Sequence, residues 1–237
     1  MQNTPTDPSE PEMLSRLMGL LQFTDSALPT GAFSHSLGFE TYMARGEVDD
    51  EDTFRQWLRM FVEQQLTFTD ATAMRLAYRA SEDGDLVDLD ELVTAQSLPR
   101  QIRDGGVTMG RRLLAIGAET HGGRWTEAYG RAVDDGRCQG HQAVSLAVLA
   151  RDLGVPVDQA VTAHVFASVV SLTQNAVRGI PLGQNAGQRI IAALQPDVLG
   201  AVETSRSLGI RDLGAVSPGL EIAQMVHERQ RARLFMS

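Results

Sequence analysis

The chain of 237 residues contains no lysine; all 21 of its basic residues are arginine. A Walker-type phosphate loop needs a Lys beside the phosphates, a pyridoxal enzyme needs a Schiff-base Lys and a protein kinase needs its strand Lys, so all three are excluded. Cysteine is nearly absent too. Cys138 stands alone, which rules out an intramolecular disulfide and a stapled secreted scaffold. Residues Met1 to Pro11 lack the basic region and apolar core of a secretory signal. No stretch reaches the roughly 18 uninterrupted apolar residues of a membrane span. These absences predict a cytoplasmic protein with no membrane partner. Proline is rare after residue 11, and no Val/Ile/Thr alternation bounded by turn signals marks a strand.

What is present is helical. With 43% hydrophobic and 22% charged residues, the chain can bury a sizeable core. Phe54, Trp57, Leu58, Phe61, Val62 and Leu66 follow the i, i+3, i+4, i+7 pattern, which predicts one long helix over about 52–80 with Asp52 as N-cap. Val161, Val165, Phe166, Val169, Leu172, Ala176 and Val177 predict another, capped by Asp158. Further helices are predicted at 13–23, 86–96, 113–118, 125–133, 143–153, 182–194, 197–208 and 220–229. The expected fold is all-α, a single bundle-like domain of about ten helices over 13–237. A flexible tail is expected over 1–12 and a mobile C-terminal tail over 226–237. The net charge of −9 argues against nucleic acid or an anionic membrane as the partner. It is unevenly spread, with 18 acids against 7 Arg in residues 1–100 and 12 acids against 14 Arg in the remainder.

Signals for chemistry are weak. His35, His121, His141, His164 and His227 form no HxH or HExxH arrangement. Cys138 and His141 make one CxxH pairing, which suits a soft metal or a nucleophile in principle but lacks a third ligand; a loop thiol and a helix-start histidine is the plainer reading. Ser34, His35 and Ser36 are sequence neighbours without a nucleophile elbow, and a triad brings its members from separate segments. The carboxylates Asp83, Asp85, Asp88, Asp90 and Glu91 lack the order of a calcium loop and read as a solvated acidic loop. Gly105-Gly106 and Gly179 to Gly187 would suit an anion at a helix start, but without Lys or a preceding strand the nucleotide reading fails. His164 sits beside an apolar helix face and reads as a satisfied core histidine. No cofactor is expected.

Three segments carry more information. They are Leu28-Pro29-Thr30-Gly31-Ala32-Phe33-Ser34-His35-Ser36-Leu37-Gly38-Phe39-Glu40-Thr41-Tyr42, Gln174-Asn175-Ala176-Val177-Arg178-Gly179-Ile180-Pro181-Leu182-Gly183-Gln184, and Met225-Val226-His227-Glu228 running to Arg233-Leu234-Phe235-Met236-Ser237. In order and spacing they resemble the UreF family of urease accessory proteins over residues 14–237, departing from its usual pattern at Phe39 and at Arg229 to Ala232. The resemblance implies an all-helical homodimer without enzymatic activity. It would bind the accessory protein UreD or UreH and recruit the nickel-carrying GTPase UreG for delivery of nickel to apo-urease. An alternative role is regulation of UreG GTP hydrolysis through an inserted Arg. The resemblance points to Phe33, His35, Glu40, Tyr42, Arg178, His227, Glu228, Arg233, Leu234 and Phe235 as partner-binding residues. No metal site is expected, with His35, Cys138 and His141 only as transient nickel ligands. Two physical readings stay open. Leu234 and Phe235 either enter a partner's groove or dock the tail on the protein's own core. Arg178 either caps its helix or lines an interface.

Overall fold

In the computed structural model, which describes residues 8–214 and 217–237, every regular element is helical. The α-helices are α1 (Glu10–Thr24), α2 (Phe39–Ala44), α3 (Glu51–Met60), α4 (Thr72–Arg79), α5 (Asp83–Gln96), α6 (Arg100–Thr120), α7 (Arg124–Asp134), α8 (Gln142–Asp152), α9 (Val157–Gly179), α10 (Gln184–Ala193), α11 (Gln195–Ser205) and α12 (Pro218–His227). Of the expected tail over 1–12, residues 1–7 lie outside the described residues. Helix α1 begins at Glu10 behind the capping-box pair Ser9 and Glu12.

The predicted helix over 52–80 is real but not uniform. Between α3 and α4 the winding relaxes into a π-helical segment, Phe61–Ala71. Within it and at its exit, hydroxyls reach back five residues: Thr67 Oγ1 donates to the Val62 carbonyl at 2.8 Å and Thr72 Oγ1 to the Thr67 carbonyl at 2.8 Å. Its cap is Asp50 rather than Asp52. Asp50 Oδ1 accepts from the Thr53 amide at 2.8 Å, while Asp52 lies in the first turn and pairs with Arg55. Asp158 is likewise not a cap. Pro156 holds that position, and Asp158 binds the guanidinium groups of buried Arg75 and exposed Arg206, each at 2.7 Å. Arg75 is further satisfied by Ser205 Oγ and the Val202 carbonyl, as a buried cation must be.

Helix α9 runs through the middle, burying Val161, Val165, Val169, Leu172 and Ala176, and α1, α4, α8, α10, α11 and the π-helical segment all pack on it. It is long and apolar enough to cross a membrane by length and composition, but half of that stretch is covered by neighbouring helices. Two expectations about the interior are corrected. Gly105-Gly106 lie inside α6, not at a helix start. Asp90 is not part of a solvated loop: fully buried on α5, it accepts hydrogen bonds from Tyr129 Oη (2.6 Å) and from the amides of Gln139, Gly140 and His141. One carboxylate thus fixes the turn that leads into α8.

Candidate functional site

The three family-like segments, the first more than a hundred residues before the second and the second about forty before the third, meet in space. The first forms a short 3-10 turn, Ala32–Ser34, and then passes through two left-handed residues, Leu37 (φ 52°) and Gly38 (φ 98°), into α2. Gly38 is dictated twice, because a Cβ there would lie 2.8 Å from Gln224 Cγ on α12. The second segment, which begins in the last turns of α9 and runs to the start of α10, is tied to the first by Asn175. Its Nδ2 donates to the His35 carbonyl at 2.7 Å, and Arg178 donates both to Asn175 Oδ1 and to the Phe33 carbonyl. Arg178 therefore stitches helix end to loop, with its guanidinium 5.5 Å from the Phe235 ring centre and 6.0 Å from that of Phe33.

The third segment has no regular structure beyond His227, yet it is fastened at many points, which refines the expectation of a mobile tail. Glu40, buried on α2, accepts from His227 Nε2 at 2.8 Å, from the Leu234 amide at 2.5 Å and from the Phe235 amide at 3.1 Å. The other ring nitrogen of His227 pairs with Gln101 Oε1 at 2.8 Å. Further along, the Met236 amide donates to the Ser34 carbonyl, and the Ser237 carbonyl receives the Ser36 and Leu37 amides and Ser36 Oγ. His35 Nδ1 meets Ser237 Oγ at 2.6 Å.

The sequence-predicted residues divide by burial. His35, Glu40, His227 and Phe235 lie inside the clasp, Tyr42 is half-buried against Trp57, and Glu228 pairs with Arg100 at 3.2 Å. Phe33 (56% exposed), Leu234 (66%) and Met236 (63%) face outward beside Arg178 and Arg233. Of the two readings of the tail, docking on the protein's own core holds for Phe235, whereas Leu234 points away from it. Asn175, Ser36 and Gln101 were missed; a polar Asn175 on the buried face between Leu172 and Ala176 was the available signal.

A second apolar surface went unread. Helix α1 exposes Met13, Leu14, Leu17, Met18 and Leu21, and between α1, α9 and Phe33 runs a groove of about 980 Å3. The weak sidedness of α1, whose apolar residues surround the helix, was the sign of it.

Among the described residues no three His, Cys, Asp or Glu side chains gather as a metal site. His35 and His141 pack against α6, where a Cβ at Gly105 would stand 2.8 Å from the His35 ring and one at Gly106 would stand 3.3 Å from His141 Nε2. Burial pushes both imidazoles below their ordinary pKa, which holds them neutral at pH 7. Burial, reinforced by the Asp90 charge, pushes the Cys138 thiol up to about 12, so it is no thiolate nucleophile. His164 is a satisfied core histidine. Its Nε2 lies 3.0 Å from Asp70 Oδ1.

Comparison with known proteins agrees with this convergence of motifs. A family model for UreF matches residues 48–195. The urease accessory protein UreF of Kocuria rhizophila is 64% identical over 94% of this chain and 98% of its own length. Its namesake from an Arthrobacter species is 56% identical over 93% and 96%, and that from Corynebacterium efficiens 48% over 96% and 100%. At these identities, over nearly whole chains, the protein belongs to the UreF family of urease accessory proteins.

Proposed function

We propose that the chain is a non-enzymatic adaptor of urease maturation, a cytoplasmic homodimer that binds UreD/UreH and recruits the GTPase UreG so that nickel, the cargo, reaches apo-urease. The observation that carries this reading is the tail clasp. Three distant segments converge to hold Phe33, Arg178, Arg233, Leu234 and Met236 outward on a fixed frame, and aromatic, aliphatic and Arg anchors of this kind dominate binding energy at protein interfaces. In this reading Phe33, Arg178, Arg233 and Leu234 touch UreD/UreH. His35, Glu40, Tyr42, His227, Glu228 and Phe235 shape the surface from below. The exposed apolar side of α1 is the surface we assign to the second copy.

Co-purification tests the reading. The double variant Phe33→Asp, Leu234→Asp should lose UreD/UreH while its helical circular dichroism stays that of the wild type. Retention of the partner refutes the assignment. The alternative role, regulation of UreG, draws on the exposure of Arg233, since an arginine finger must project. Stimulated GTP hydrolysis that Arg233→Ala abolishes would favour it over the adaptor.

A further inference from the structure

A smaller, partly open cavity of about 90 Å3 is bordered by the π-helical segment, the end of α5, the middle of α6, the first residues of α8, the middle of α9 and α12. Its wall is mostly apolar but includes several polar side chains. Gln65 Oε1 is buried there with no hydrogen-bond partner among the described residues. His141 accepts from the Ala143 amide through Nδ1 at 3.3 Å. In the neutral ring the proton therefore sits on Nε2, which faces the space that the absent side chain of Gly106 leaves open. Asp70 completes the set, with Oδ1 on His164 and Oδ2 on Thr69 Oγ1 at 2.7 Å, and with lone pairs to spare.

The π-helix explains why these groups share one wall. In an α-helix, residues five apart point about 140° away from each other. The wider i→i+5 winding returns Gln65 and Asp70 to nearly one face, and such segments are often found where a helix serves a local site. The cavity thus presents an acceptor without a donor, a donor beside open space and a carboxylate. An apolar occupant would leave the first two unpaired. Water, with two donors and two acceptors, matches all three, and since one molecule needs at least about 10–15 Å3, there is room for several.

We propose that this cavity is a structural water site, in which a cluster of ordered waters bonds Gln65 Oε1, His141 Nε2 and Asp70 along the wall that the π-helical segment opens. A high-resolution crystal structure of the full chain should show solvent peaks within hydrogen-bond distance of Gln65 and His141. An empty cavity, or uptake of xenon there under pressure, overturns the proposal, because a dry cavity takes xenon and a hydrated polar one does not. Thermal unfolding of Gln65→Leu gives an independent reading. Loss of the bonded waters should lower Tm by a few degrees, whereas a dry site would be relieved of an unpaired carbonyl and Tm would hold or rise. Should that variant fail to fold, the crystallographic reading of the wild type decides alone.

Discussion

Replacing Glu40 by Gln tests the clasp at its centre. The carboxylate serves three donors with two oxygens: Oε1 takes the Leu234 amide, and Oε2 takes both the Phe235 amide and His227 Nε2. A carboxamide of the same shape offers one oxygen, so an NH2 group must face at least one N–H. Each buried donor left without a partner costs about 1–3 kcal/mol. The chain has a cheaper escape than unfolding, because residues 228–237 can lift off and hydrate, so the loss is confined to the docking equilibrium of the tail. Taking about 2 kcal/mol, the undocked population rises roughly 30-fold. Hydrogen exchange reads this directly. The amides of Leu234, Phe235 and Met236 should lose protection by about that factor while those of α9 keep theirs. Trypsin, which in this lysine-free chain cuts only after arginine, should cleave faster at Arg229, Arg231 and Arg233. Unchanged protection at Leu234 and Phe235 in the Gln variant would refute the reasoning.

Three further outcomes follow from the interior. Burial opposes ionisation of Asp70, but the His164 hydrogen bond and charge outweigh it and hold the carboxyl at about 2, against an ordinary 3.8. Its contribution, about 2 kcal/mol, is fully present above pH 3.8 and vanishes as pH falls through 2, so Asp70→Asn should flatten the acid limb of a stability profile, and an unaltered limb would contradict the pairing. With its thiol at about 12, Cys138 should resist a thiol reagent at pH 8 until denaturant is added; prompt labelling of the folded protein would show the burial to be wrong. Two glycines should respond with opposite signs. A Cβ at Gly110 would stand 2.1 Å from the Gly140 carbonyl oxygen, whereas one at Gly130 in α7 meets nothing within 4 Å. Gly110→Ala should therefore lose about 1–3 kcal/mol in urea unfolding, and Gly130→Ala should gain about 0.5–1 kcal/mol; equal effects would contradict the close α6–α8 approach.

The sequence by itself determined the helical class, the family and the approximate course of most helices, though of α6 only its last part, 113–118. Those properties are written in local spacing: apolar residues recurring every three or four positions, Gly and Pro between them, and three motif segments in a fixed order. It also excluded, through the absent lysines, a Walker-type phosphate loop. Tertiary structure decided what local spacing does not encode. Asp90 looks like one more solvated acid until the 138–141 turn folds over it. Gly105-Gly106 look like a loop until two imidazoles from elsewhere in the chain rest on them. The π-helical winding was hidden because its apolar residues also satisfy the α-helical pattern over two turns. Above all, Glu40 and Phe235 acquire their roles only from contacts that span nearly two hundred residues. Periodicity reports which face of a helix is buried, but the partner that buries it is chosen by packing of the whole chain, and that choice sets the tail against the loop and leaves Phe33 and Leu234 facing outward.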